Sequence, residues 1–292
     1  MKGTAPTRHS CMGPSTCLFA CVCLALLLFS SGCAPLQPEH PAAPRQKAEK
    51  VWRGFWSGQQ QRVSSFPGFS MQGSLNIFTP TRNRRVTFEL WGNPPAPLRL
   101  QLRAGIGTTI SIWEIRGDRV LIFSPRKNRA YSADNTARAT QAMGLRLPFT
   151  LPEMMQVLTG NWKNILWRDY LQTKYLPEER GYAFYPHGEK RVDKIVLDGN
   201  SRVVSLSGKH PYEWTMERKD LTTRQGRVLS RRIELTTARD EELILRVKDF
   251  QPRNSPWPRE DLRISLPPDI MVRPLSTPGQ KREKHKQTTE ED

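Results

Sequence analysis

A two-residue rhythm of apolar and polar side chains through the middle of the chain leaves few folds open to it. Phe69, Met71, Leu75 and Ile77 share one phase, with Ser70, Gln72, Ser74 and Asn76 on the other. Val86, Phe88 and Leu90 alternate with Arg85, Thr87 and Glu89, and Leu98, Leu100 and Leu102 with Arg99, Gln101 and Arg103. Ile110 and Ile112 stand against Thr109 and Ser111. Successive side chains of a strand point to opposite faces, so four such segments in a row predict an antiparallel sheet with one buried face. Asp118–Phe123 and Ala130–Tyr131 continue it after turns at Arg116-Gly117 and Pro125 to Asn128.

The rhythm then changes. Asp134–Gly144 places Ala139, Ala142 and Met143 at helical spacing with Gly144 as a stop. Thr150-Leu151-Pro152-Glu153 fits a capping box with proline in the first turn, and Met154, Met155, Val157 and Leu158 follow as an apolar stripe before Gly160. Asn161–Leu171 reads as a third short helix. Strands resume at Tyr182–Tyr185, Lys194–Leu197, Arg202–Ser207, Tyr212–Arg218, Val228–Thr236, Glu242–Phe250 and Leu262–Leu266. The fold class expected is therefore α+β and mainly β: a single curved antiparallel sheet of about 10–12 strands, an incomplete β-barrel, with lid helices on its concave face. The curl follows from strand twist, and an apolar concave face needs a cover.

Cysteine usage bounds the compartment. The five cysteines are Cys11, Cys17, Cys21, Cys23 and Cys33, with none afterwards, which closes a disulfide framework. Lys2 and Arg8 precede an uncharged run from Cys17 to Phe29, too short to cross a bilayer and of the length of an export signal. Ser30-Ser31-Gly32 before Cys33 looks like the lipobox of bacterial lipoproteins, in which the thiol takes a diacylglycerol. Ser30 stands where leucine is commonest. A secretory cut near Gly32, leaving an unmodified cysteine, is the other reading. Acyl chains on Cys33 would hold the protein to its membrane. Ala34 follows in place of Asp, which by the same resemblance directs the chain to the outer membrane.

Residues 1–32 are thus expected to be a lipoprotein signal peptide, 33–50 a proline-rich tether, 51–273 one domain, and 274–292 a polar disordered tail. The full chain carries a net charge of +17, and +15 without residues 1–32. An exported chain with that charge meets anionic lipid head groups in place of nucleic acid. A solvated basic surface with no specific partner is the alternative.

Residues for chemistry are sparse. Only His187 and His210 lie in the domain, both beside proline in loop-like contexts, and no HExxH, GxSxG or CxxC pattern occurs. Gly105-Ile106-Gly107 lacks the lysine of a phosphate loop and joins two strands. No catalytic residue, metal or cofactor is expected. A hydrolase would need two carboxylates converging in one pocket.

FSMQGSLNIF, RRVTFELWG, LRLQLRAGIGTTISI, GDRVLIFSPRKNRAYSADN and LPFTLPEMMQVLTGN follow one another in the order of the LolB family, which the chain resembles over roughly Phe66 to Gly160. That resemblance implies an incomplete barrel whose hollow face, capped by helices, binds acyl chains of lipoproteins handed over by a periplasmic LolA-type carrier. It also places Ile106, within Ala104-Gly105-Ile106-Gly107-Thr108, at the apolar loop tip that meets the membrane. Gly105 replaces the family's proline there. The chain departs from the family in a longer C-terminal stretch, NSPWPREDLRISLPPDIMVRPL, similar to that of longer outer-membrane lipoproteins of the same fold.

The expected function is acyl-chain binding and delivery at the periplasmic face of the outer membrane, with membrane lipid and lipoprotein acyl chains as partners. The cavity wall is assigned to Phe69, Met71, Leu75, Val86, Phe88, Leu90, Leu98, Leu100, Leu102, Ile110 and Ile112, and the lid to Met154, Met155 and Leu158. Two other readings stay open: an envelope-assembly scaffold with a filled interior, and a glycan or lipid hydrolase.

Overall fold

The computed structural model describes residues 45–61, 66–105, 107–188, 191–224 and 227–275. The expected signal peptide, Cys33, the tether up to residue 44, Ile106 and the tail from residue 276 lie outside the described residues. Among the described residues fourteen strands form one sheet. They are β1 Gly68–Thr79, β2 Arg82–Gly92, β3 Leu98–Ala104, β4 Thr108–Arg116, β5 Arg119–Ser124, β6 Arg129–Ala133, β7 Tyr170–Leu176, β8 Gly181–Pro186, β9 Lys194–Asp198, β10 Val203–Gly208, β11 Trp214–Arg224, β12 Arg227–Thr237, β13 Glu242–Arg253 and β14 Val272–Pro274. Their order is β14-β6-β5-β4-β3-β2-β1-β13-β12-β11-β10-β9-β8-β7, and the two edges do not meet, so the sheet is open. Every neighbouring pair is antiparallel except β14 on β6. The expected open, mainly antiparallel sheet is thus present.

Among the described residues four α-helices accompany it: α1 Arg45–Gln61, α2 Thr136–Ala142, α3 Leu151–Leu158 and α4 Arg259–Leu262. The first of these begins inside the stretch expected to be tether. Ala48, Val51, Trp52 and Phe55 recur at i, i+3, i+4 and i+7, and all four are buried. Each large side chain so covered contributes about 1.5–3 kcal/mol. They pack on the β7 to β9 end, where the Trp52 ring lies 4.7 Å from Phe184 and 5.3 Å from Tyr170. Gln59 is buried in the same seam, its Oε1 accepting the Trp162 N–H at 3.0 Å.

Two expected elements differ. Asn161–Leu171 is a single turn, in which Ile165 N and Leu166 N both donate to Trp162 O, followed by the edge strand β7. Asparagine, tryptophan, aspartate and tyrosine hold a helix poorly, and pairing of Tyr170–Leu176 with β8 prevails. Leu262–Leu266 is no strand either. Prolines at 256, 258, 267 and 268 bracket it, and Ile264 N finds its acceptor in the Glu114 side chain at 2.8 Å instead of in a ladder.

That segment belongs to a strap. From the end of β13, residues 254–271 cross the outer face of β1 to β4, and β14 then pairs with β6. Trp257 Nε1 donates to Phe69 O at 2.8 Å, and Asn93 and Trp257 exchange two hydrogen bonds at 2.7 and 3.0 Å. The Arg99 guanidinium donates to the carbonyls of Asp261 and Arg263. The other, inner face of the sheet carries α1 to α3 and the core, whereas α4 is part of the strap. The buried cluster of the described residues, from Ala48 to Phe250, lies wholly in the compact unit Ala42–Asp292.

Candidate functional site

Register builds the inner face in continuous rows. Met71, Leu90, Leu100, Trp113 and Ile122 are aligned across β1 to β5, and Gly73, Phe88, Leu102 and Ser111 across β1 to β4. A third row runs Gly92, Leu98, Ile115 and Val120. Gly73 has a steric reason: a Cβ there would lie 2.7 Å from the Phe88 ring and would collide with the Arg246 carbonyl. The one polar handle of the middle row is capped, because Trp113 Nε1 donates to the buried Ser111 Oγ at 2.9 Å. What faces inward is therefore hydrocarbon.

Between these rows and the helices lies a cavity of about 90 Å³. Its floor includes Leu75, Phe88, Leu90, Leu98, Leu100 and Leu102, joined by Trp113, Ile115 and, from β13, Leu243 and Leu245. Its roof is α3, through Leu151, Met154, Met155 and Leu158, with Leu145 and Leu147 of the connection before it and Thr140 of α2. The helices are set by local chemistry. Asn135 Oδ1 caps α2, accepting from Ala137 N at 2.7 Å. At α3 the expected capping box is complete, with Thr150 Oγ1 accepting from Glu153 N and Glu153 Oε2 accepting from Thr150 N.

Nine of the fourteen side chains assigned to wall and lid line this cavity: Leu75, Phe88, Leu90, Leu98, Leu100, Leu102, Met154, Met155 and Leu158. Phe69, Met71 and Val86 face inward beyond its edge. Met71 instead borders a smaller void of about 50 Å³ with Leu158 and Phe250. Ile112 is corrected: it lies on the outer side, and Ile110, unpaired at a register shift, lines neither this cavity nor the smaller void. Ile112 is aligned with Gln101 and Phe123, whereas Trp113 is aligned with Leu100, and the register shifts between Leu102 and Arg103. The inward phase of β4 is Ser111, Trp113 and Ile115. Trp113 and Ile115 carry the signal that identifies it, two large apolar residues in the phase opposite to Ile110 and Ile112.

Size determines what this cavity accepts as it stands. About 150 Å³ of apolar space holds a benzene ring, and ligand sites commonly span about 300–1,000 Å³. At about 90 Å³ the closed cavity takes less than either, so a longer guest must displace the roof. The roof is held by apolar contact and two partly exposed ion pairs. Arg191 Nη1 reaches Glu153 at 2.6 and 2.7 Å, and Arg146 lies 3.6 Å from Glu241. Pairs this exposed contribute about 0–1 kcal/mol each, so burial of the α3 side chains is what holds the roof in place. Beside the second pair, Tyr212 is pushed up to about 12 by burial and by the Glu241 charge.

Towards β10 to β12 the inner face carries a buried cation. Arg218 is buried there, donating to the carbonyls of Val203 at 3.0 Å and Val228 at 3.2 Å with its guanidinium 5.3 Å from the Trp162 ring. On the outer face a groove of about 380 Å³ opens under the strap, lined by Ala96, Pro97, Glu114, Arg116, Arg259 and Arg263 among others. Among the described residues no group of three or more His, Cys, Asp or Glu is placed to hold a metal, and no helix is long and apolar enough to cross a membrane.

Solved structures similar to this chain include a LolA superfamily protein from Nitrosomonas europaea, at 10% identity and a TM-score of 0.48, covering 74% of this chain and 97% of that one. A putative outer membrane lipoprotein-sorting protein domain from Vibrio parahaemolyticus aligns at 10% identity and a TM-score of 0.49, with the same coverages of 74% and 97%. A DUF1329 family protein from Desulfovibrio piger aligns at 7% identity and a TM-score of 0.46, over 70% of this chain and 93% of that one. No protein-family model matches the chain, and no curated protein does.

Proposed function

We propose that this protein is an outer-membrane lipoprotein, anchored through Cys33, that binds acyl chains between its sheet and its helical roof and passes them to the membrane. The work is transfer by binding, with no bond made or broken. The cargo is the lipid of another lipoprotein, received from a periplasmic carrier, and Ile106 is the tip that meets the bilayer. The observation that carries the reading is the cavity itself: three aligned rows of hydrocarbon, capped at their one indole N–H, under short helices that touch the sheet through apolar side chains and share no strand ladder with it. Displacing the roof exposes apolar wall that only hydrocarbon covers favourably.

A fluorescent fatty acid tests this. The unlipidated chain should bind it saturably, and Leu100→Arg or Phe88→Asp should abolish binding while the fold persists. The small volume of the closed cavity favours one competing reading, a scaffold with a filled interior. A folded chain that takes up no probe would establish that reading and end this one. For the tip, Ile106→Glu should slow delivery to vesicles, and delivery at the unaltered rate would remove Ile106 from the mechanism.

A further inference from the structure

Three hairpin turns join β1 to β2, β3 to β4 and β5 to β6, and because these six strands are consecutive neighbours the turns share one end of the sheet. Two of them are strongly basic. Arg82, Arg84 and Arg85 open β2, and Arg126, Lys127 and Arg129 form and follow the turn after β5. All six side chains are exposed. No Asp or Glu occurs in residues 79–88, 104–113 or 124–133, and among the described residues none of the six cations forms an ion pair. The sign changes at the next turn along the same rim, between β12 and β13, where Asp240, Glu241 and Glu242 accompany Arg239. Along this rim, positive charge without nearby acid is thus concentrated on the β1–β2 and β5–β6 hairpins.

We infer that this rim is a docking surface for a bilayer containing anionic phospholipid. Five strand spacings separate β1 from β6, so the cations are spread over roughly 24 Å. The Debye length at physiological salt is about 8 Å, so they present a line of charge and not a point. None of the six lines any of the three cavities described above. An acidic protein or a small anion is recognised by converging, positioned donors; a row of long, unpaired, solvent-exposed cations on separate loops matches a flat surface of mobile phosphate groups. Each cation brought near such a surface adds to binding independently of the others. Docked this way, the cavity end nearest the rim faces the head groups, Val86 being two residues from Arg84 on the same face of β2. The inference does not depend on the cavity accepting a guest, since the rim would dock in either case.

The test is flotation of the unlipidated chain Ala34–Asp292 with vesicles of phosphatidylcholine, with and without about 30% phosphatidylglycerol, at low and high salt. Binding is expected only with the anionic lipid and should weaken with salt. Arg84→Gln with Arg85→Gln should weaken it about 25-fold, and Arg126→Gln with Lys127→Gln by a similar factor. Lys50→Gln with Arg53→Gln, the same charge change on the exposed face of α1, should leave it within about two-fold. Arg84→Lys with Arg85→Lys should retain it. Indifference to phosphatidylglycerol, or equal weakening by the rim and α1 pairs, would overturn the inference. Circular dichroism of each variant identifies any loss that comes from misfolding.

Discussion

Met155→Ala separates a hollow that admits guests from an ordinary dry core. Met155 is 2% exposed and lines the cavity from α3, between the sheet floor and the rest of the helix. Truncation at such a site costs about 2–5 kcal/mol, through lost transfer energy and the void left behind. Here the side chain already borders empty space and lacks partner atoms on that side, so the loss should fall in the lower part of the range, about 2–3 kcal/mol. The void then grows by roughly three methylene-sized groups, from about 90 Å³ toward the ~150 Å³ that holds benzene. Urea unfolding with and without a saturating small apolar ligand reads both effects. The variant should recover about 2–3 kcal/mol at ligand concentrations near 100 times Kd, while the wild type recovers little from a ligand of that size. Recovery no greater in the variant than in the wild type would show that the space collapses, and would refute the reasoning.

Other substitutions test the scaffold around the cavity. Arg218→Met leaves the Val203 and Val228 carbonyls without their charged donors and should cost about 2–4 kcal/mol in urea unfolding; a neutral result would mean that water or a neighbour replaces them. Gly73→Ala places a Cβ against the Phe88 ring and the Arg246 carbonyl, and should lower stability by about 1–3 kcal/mol, where a stabilised variant would show the β1–β13 bulge to be compliant. The Glu234 carboxyl is held below its ordinary value of 4.5, chiefly by the hydrogen bond from Lys219. Its contribution is therefore complete above about 4.5 and is lost as pH falls through the lowered value, so between about pH 6 and pH 3 the wild type should lose more Tm than Glu234→Gln. Equal losses would remove that carboxylate from the acid response.

Strand alternation was legible because one face of β1, β2 and β3 is buried and the other is wet, so Leu98, Leu100 and Leu102 declared both strand and face at once. On β4 the same reasoning chose the wrong phase. Both faces of that strand carry large apolar residues, since Ile112 is aligned with Phe123 on the outer side, and only the register to β3 decides between them. The buried Ser111 reads as an outward-facing residue in sequence, and only its bond from the Trp113 indole, two residues on along the same strand face, accounts for its burial. The capping box at Thr150 and Glu153 is local and could be read directly. By contrast α1 was hidden by its flanks: Arg45, Gln46 and Lys47 continue the polar run after the prolines, and the stripe Ala48, Val51, Trp52 and Phe55 gains its meaning only against Phe184 and Tyr170. The strap could not be read at all, because its hydrogen bonds go to side chains more than a hundred residues away.

A fatty acid carrying a photoreactive diazirine at its chain end, crosslinked to the chain and mapped by mass spectrometry, tests the acyl-chain site most directly. The label should fall on the inner face and its roof, at residues such as Leu90, Leu100 and Met155, and an excess of unlabelled fatty acid should suppress it. Label in the groove beneath the strap, around Pro97 and Leu262, or on the aromatic seam under α1, or no label on a folded chain, would contradict the account.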